Sequence, residues 1–347
     1  MKMQDLMLKF PHLPEQIFQK LGDESLLKCR EVATSWQDII DNRNYPWLRI
    51  VEIPKILKKG NAYIHRAAET GQIETFRTAF SEEHEKNIKN ENGETSFHIA
   101  CEHGSFQIVQ FILMNANSEV NFNAKDNHCI DLNARTKYSN TALHLASMEG
   151  QLDVIKFLME NAGAFNINLN AKGSLGCTAF IWACYYGQTD MVKIFIKNAQ
   201  ACGIDLNAKD DFGRTAFQYA HKLDVVQIFM QNAKALNINL NAKCKFGWTA
   251  FHRACQMGLL NVVKSFMENS ATLNINLNVQ GLNGMTPFHL ACHDGQLDVV
   301  KIFLEKAAFL NIDLNIKALW TQYDNMEYYQ KSQSSLKSIE KLLDQNL

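Results

Sequence analysis

Three recurring features predict an all-α fold of stacked helix pairs for this chain. A seven-residue phrase returns as NINLNAK at Asn166–Lys172, GIDLNAK at Gly203–Lys209, NINLNAK at Asn237–Lys243, NINLNVQ at Asn274–Gln280 and NIDLNIK at Asn311–Lys317. A tetrad opening on threonine keeps step with it, at Thr95, Thr141, Thr178, Thr215, Thr249 and Thr286, with successive spacings of 46, 37, 37, 34 and 37 residues. Most tetrads lead into a short helical stretch, a glycine (Gly104, Gly150, Gly187, Gly258, Gly295) and an amphipathic run such as Gln296–Leu304, where Leu297, Val300, Phe303 and Leu304 share one helix face. Each unit therefore reads as a helix, a turn and a second helix, and the length of 347 residues counts repeats rather than globular domains.

Residues 1–51 have a different character. Leu13, Ile17 and Leu21 fall on one helix face, with Pro14 at a first-turn position that tolerates it and Glu15 favourable at the positive helix end. A second apolar set (Leu26, Leu27, Cys29, Val32) follows the turn-prone Gly22-Asp23, and Trp36, Ile39 and Ile40 make a third. Three short helices in so few residues give a core too small for comfortable independent stability. The run Leu13-Pro14-Glu15 with Ile17, Leu21, Leu26, Val32, Trp36 and Trp47 resembles an F-box. That resemblance implies docking on the Skp adaptor of a cullin-RING ubiquitin ligase through Leu13, Pro14, Ile17, Leu21, Leu26 and Val32. Capping of the open end of the solenoid is the other reading of the same residues. Residues 52–59 form a short junction whose Ile53, Ile56 and Leu57 are placed to stiffen it.

The tetrads themselves, TSFH, TALH, TAFI, TAFQ, TAFH and TPFH, with the helix pairs that follow, resemble ankyrin repeats. A degenerate first copy at Ala62–Gly71 keeps the His, Ala and Gly but lacks the threonine, so about seven units, joined by hairpin loops, are expected over 60–317. Two units break the rhythm. Between Thr95 and Thr141 the phrase is nearly duplicated, as Val120–Lys125 and then Cys129–Arg135, which predicts an enlarged loop. Between Thr215 and Thr249 the inter-helix turn shrinks to Ala220–Asp224 and loses its glycine, which predicts a tight or strained turn. Most units also exceed the 33-residue family unit by about four residues, in the segment after the second helix. In the tail, 318–347, Leu336, Ile339, Leu342 and Leu343 mark a last amphipathic helix expected to cap the array.

Composition narrows the function. With 35 basic and 36 acidic residues the net charge is -1, and no cationic run suits a polyanion, so nucleic acid is not an expected partner. No apolar run is long enough for a bilayer and the N-terminus lacks a signal-peptide core, which predicts a soluble protein of cytoplasm or nucleus with no membrane partner. Of nine cysteines, Cys101, Cys184, Cys255 and Cys292 each lie six residues after a tetrad threonine, the mark of a small buried site per helix pair. The tetrad histidines His98, His144, His252 and His289 recur once per unit, so they form a column rather than a convergent metal site and belong to helix N-termini. Phosphate-binding, nucleophile-elbow and zinc-protease motifs are missing from the sequence, so neither catalysis nor a cofactor is expected.

Function then falls to surface. In ankyrin folds the inner helices and the hairpin fingers before them usually form the concave binding face, reached by side chains four, seven and eight residues after the threonine. Those positions concentrate aromatic residues in two adjacent units, giving Trp182, Tyr185, Tyr186, Tyr219 and Arg253 as the candidate partner-binding set, residue types that often anchor interfaces. Packing between inner helices is the competing role for them, and the finger residues Phe212 and Phe246 are secondary candidates. The whole predicts a substrate-recognition subunit of a Skp-cullin-F-box ubiquitin ligase that holds a protein target on its repeats. The alternative is a non-catalytic ankyrin scaffold or inhibitor of a partner.

Overall fold

The computed structural model describes residues 62–82, 86–116, 130–282 and 284–314. The predicted N-terminal helices, the junction 52–59, the first copy of the duplicated phrase (120–125) and the C-terminal helix lie outside them. The chain divides into two compact units between Arg66 and Ala67, within the degenerate first repeat, and the six threonine-headed repeats lie in the second. Among the described residues there are fifteen α-helices and no β-strand, so the predicted all-α class holds. In chain order they are α1 Ala62–Thr70, α2 Ile73–Glu82, α3 Ser96–Glu102, α4 Phe106–Ala116, α5 Ala142–Glu149, α6 Leu152–Asn161, α7 Ala179–Tyr185, α8 Thr189–Asn198, α9 Ala216–Tyr219, α10 Leu223–Asn232, α11 Ala250–Gln256, α12 Leu260–Glu268, α13 Ser270–Leu273, α14 Pro287–His293 and α15 Leu297–Leu310.

Each inner helix (α3, α5, α7, α9, α11, α14) starts because its tetrad threonine holds an extended backbone at the N-cap. The histidine three residues on turns this cap into an inter-repeat tie. Nδ1 of His98, His144 and His252 accepts the backbone N–H of Thr95, Thr141 and Thr249 at 3.1 Å. Nε2 then reaches the carbonyl of the next unit, Ala134 at 2.9 Å, Cys177 at 3.0 Å and Met285 at 3.2 Å. Gln218 does both jobs in its unit, accepting from Thr215 N–H at 2.9 Å and donating to Trp248 O at 2.6 Å. The predicted role of the tetrad histidines at helix N-termini is therefore seen at all four, His289 Nδ1 likewise accepting the Thr286 N–H at 3.0 Å.

The seven-residue phrase is explained residue by residue. Its first residue, Asn166, Gly203, Asn237, Asn274 or Asn311, takes a left-handed backbone, and the next N–H turns back to the helix, as from Ile167 to Ala162 O at 2.9 Å. That is the stop signal of a helix C-terminus, which glycine and asparagine supply. Ile, Leu and Ala of the phrase point inward: Ile167, Leu169 and Ala171 are buried. The second and third asparagines stay outside and join neighbouring units. Asn207 Nδ2 donates to Asn237 O at 3.0 Å and its Oδ1 accepts Asn239 N–H at 2.8 Å. The same pair of bonds recurs at Asn133, Asn170, Asn241 and Asn278. The closing lysine runs a parallel row, Lys172 to Lys209 O, Lys209 to Lys243 O and Lys243 to Gln280 O. The second copy of the near-duplicated segment takes this register, with Leu132 and Ala134 buried and Asn133 in the row.

The core between inner and outer helices is a run of phenylalanines packed ring to ring at tilted angles. Ring centroids step from Phe195 to Phe180 at 5.4 Å, Phe229 at 5.6 Å, Phe217 at 5.1 Å, Phe266 at 5.5 Å, Phe251 at 5.3 Å, Phe303 at 5.9 Å and Phe288 at 5.2 Å. Cys101, Cys184, Cys255 and Cys292 are buried as expected, and burial raises the first three thiols well above their ordinary pKa and Cys292 to about 12. They are packing residues, not reactive ones.

Two expectations are corrected. On α15 the buried set is Val299, Val300, Phe303 and Ala307, while Leu297 and Leu304 are only half-buried. Residues in the register of Leu304 on earlier outer helices (Met159, Ile196, Met230, Met267) are buried, so each outer helix packs against the next unit as well as its own. Nor is the short turn strained. Instead α9 is cut to four residues, and Ala220 and Lys222 take ordinary extended conformations. Lys222 Nζ donates to Gly187 O at 2.7 Å, the role that Gln151 and Gln296 play elsewhere.

Candidate functional site

The five surface candidates sit on α7, α9 and α11 and form one contiguous cluster. On α7 the ring of Trp182 packs against Tyr185 (centroids 5.6 Å, near-perpendicular) and Tyr186 (5.9 Å, stacked), and these two meet each other at 5.2 Å. Tyr185 also touches Tyr219 of α9 at 5.6 Å, and the Arg253 guanidinium of α11 lies 5.7 Å from the Tyr219 ring centre. Spacing explains this: positions four, seven and eight after the threonine share a face of the first helix, and equivalent positions stack from unit to unit.

Exposure divides the set. Tyr185 and Tyr186 are 46% and 44% exposed, Trp182 and Arg253 half-buried, and Tyr219 only 8% exposed. The Tyr219 phenol donates to Asp210 Oδ2 at 2.6 Å and accepts from Arg214 Nη1 at 3.3 Å. Burial first, and then the bond to Asp210, push its pKa to about 12, so the proton stays on it. Tyr219 is the floor of the cluster, and Trp182 is partly the inter-helix packing residue that the competing reading describes. Its indole N–H is buried without an acceptor within the protein.

Two residues of the site escaped the sequence reading, Asp210 and Arg214. Asp210 is buried, and its Oδ1 accepts the N–H groups of Phe212 and Arg214 at 2.9 and 2.7 Å, which fixes the finger. The Arg214 guanidinium lies 5.1 Å from the Phe212 ring centre and 5.8 Å from that of Tyr219. Only the identity of a tyrosine nine residues on links this finger to α9, and no local pattern announces that.

Above the inner helices the fingers carry a row of exposed apolar side chains: Tyr138, Leu175, Phe212, Phe246 and Leu282. The row is tied by backbone bonds between adjacent fingers, Asp211 N–H to Leu175 O and Lys245 N–H to Phe212 O at 2.9 Å, and Leu282 N–H to Phe246 O at 3.0 Å. Gly247 permits one of these ties, since it has φ 76° and an added Cβ would stand 2.9 Å from Leu282 N. The two predicted finger aromatics, Phe212 and Phe246, thus belong to a longer line.

The adaptor-docking candidates Leu13, Pro14, Ile17, Leu21, Leu26 and Val32 lie outside the described residues. Among the described residues there is no group of three metal-ligating side chains, and no helix is long and apolar enough to cross a membrane.

The sequence profile of ankyrin repeats matches this chain three times, over residues 64–172, 164–241 and 221–318. Among solved structures the chain is similar to the ankyrin repeat domain of Bcl-3, described as a unique member of the IkappaB protein family. The TM-score is 0.54 and the identity 21%, over 70% of this chain and 100% of that one. No curated protein sequence matches significantly.

Proposed function

This chain belongs to the ankyrin repeat family, and from that premise we propose that it is a non-catalytic receptor that holds a protein target on its inner-helix and finger surface. The observation that carries the proposal is the contiguous cluster of Trp182, Tyr185, Tyr186, Tyr219 and Arg253. Its outer members are large exposed rings held in place by ring contacts with their neighbours. Exposed aromatic side chains fixed by their neighbours lose little conformational freedom when a partner covers them, which is why such residues so often dominate binding.

The finer reading adds a destination for the target. Residues 1–51, with Leu13, Pro14, Ile17, Leu21, Leu26 and Val32 in the F-box pattern, would dock on an Skp-type adaptor of a cullin complex, leaving 60–317 to hold the substrate. The chain would then act by proximity, keeping target lysines near a ubiquitin-loaded enzyme. The test is co-purification of the full chain with an Skp adaptor and cullin, comparing wild type with Leu13→Ala/Pro14→Ala. Capture by wild type and loss in the double variant supports the ligase receptor. No capture by wild type removes it and leaves the second reading, an ankyrin scaffold or inhibitor acting through the same surface.

A further inference from the structure

We propose that the partner is recognised through an extended segment carrying an apolar or aromatic side chain and, about three residues away, an anionic one. This deepens the receptor reading and rests on it. The apolar side chain would lie on Trp182, Tyr185 and Tyr186, and the anion would meet the guanidinium groups of Arg214 and Arg253.

Both guanidinium groups lie against one tyrosine ring, at 5.8 and 5.7 Å from the Tyr219 centre. Placed in this way, the Arg253 guanidinium keeps the edge that carries its N–H donors free for a carboxylate or phosphate, while Arg214 spends Nη1 on the Tyr219 hydroxyl and offers its remaining donors. Among the described residues neither has a carboxylate within 4.0 Å, and Arg253 makes no side-chain hydrogen bond. The nearby acid is already engaged: Asp210 is buried and spends both oxygens on Tyr219 and the finger backbone.

Along the chain the charge around the pair is mostly positive, with Glu149 an acidic neighbour of the Tyr186 ring. The stretches 209–222 and 243–253 hold six cations, Lys209, Arg214, Lys222, Lys243, Lys245 and Arg253, against Asp210 and Asp211, in a chain whose net charge is -1. Such a cationic stretch on a near-neutral protein favours an anionic partner and speeds its encounter. Spacing follows from the ring contacts. Tyr185 to Tyr219 to Arg253 spans no more than about 11 Å, and extended chain rises about 3.3 Å per residue.

The experiment is selection of a random peptide library on the full chain, followed by affinity measurement with the leading peptide. Enriched peptides should carry Asp or Glu about three residues from Trp, Tyr, Phe or Leu. Changing that acid to its amide, or the protein by Arg253→Glu, should weaken binding about tenfold or more. A lysine in place of the acid should restore binding to Arg253→Glu, a rescue that a misfolded variant would not show. Replacing the acid by phosphoserine separates the two anion chemistries: retained affinity means charge is read, lost affinity means a carboxylate is required.

Peptides that lose binding to Tyr185→Ala/Tyr186→Ala yet show no acidic preference and bind Arg253→Glu undiminished would overturn the inference while leaving the receptor surface standing. Peptides indifferent to the tyrosine pair, or no enrichment at all, would overturn both.

Discussion

Removing one asparagine from the inter-repeat row should loosen a single joint of the array by a predictable amount. In Asn207→Ala two bonds disappear, the donation to Asn237 O at 3.0 Å and the acceptance from Asn239 N–H at 2.8 Å. A net hydrogen bond contributes about 0.5 to 1.5 kcal/mol, so the pair sets a range of about 1 to 3 kcal/mol. Asn207 is half-exposed and water replaces part of what is lost, which places the expectation at about 1 to 2 kcal/mol. Asn207→Asp keeps the shape and the acceptor but turns a carboxylate oxygen toward the Asn237 carbonyl, so it should be no better than alanine. Urea unfolding of the full chain reads the cost as a lowered midpoint at unchanged slope. Amide exchange adds a local reading: Asn239 N–H should lose protection, while Asn276 N–H, whose acceptor Asn241 is untouched, should keep it. A loss below about 0.5 kcal/mol in both variants with unchanged exchange at Asn239 would refute the row as a source of stability.

Three further outcomes follow from the same geometry. Burial holds His144 and His252 at about 4 against an ordinary 6.5. The unfolded chain therefore takes up protons first, so their contribution is complete above about pH 6.5 and is lost on acidification toward pH 4. The loss is on the order of 3 kcal/mol per histidine; urea midpoints measured across that window should show it, and His144→Gln, patterned on Gln218, should remove one share. Phe229→Ala empties the centre of the phenylalanine run between Phe180 and Phe217 and should cost about 3 to 5 kcal/mol in the same assay. Gly247→Ala places a Cβ against the neighbouring finger in a left-handed backbone and should lower the thermal midpoint by more than the same change at Gly163, which has open space and no positive φ.

The helix pairs were legible because period and caps are local: the threonine tetrad, the glycine and the amphipathic run each act within one unit. The outer-helix face was read only in part, since Val299 belongs to a surface shared with neighbouring helices and a single-helix wheel does not show that. The asparagine and lysine rows were visible as a repeated phrase but not as bonds, because each partner lies one unit away, as Asn207 does from Asn237. Of the surface candidates, spacing brought all five together. It missed that Tyr219 faces inward, since this depends on Asp210, a finger residue whose carboxylate has a reason to be buried only once the tyrosine hydroxyl is beside it.

The central claim is that the aromatic cluster on α7 and α9 holds a protein partner, and quantitative proximity labelling from the full chain tests it most directly. Wild type would be compared with Tyr185→Ala/Tyr186→Ala, two exposed positions whose loss should leave the thermal midpoint close to that of wild type. A defined subset of labelled proteins should disappear with the double variant while the rest persist. An unchanged labelled set from a folded double variant would contradict the claim and move the binding surface elsewhere on the array.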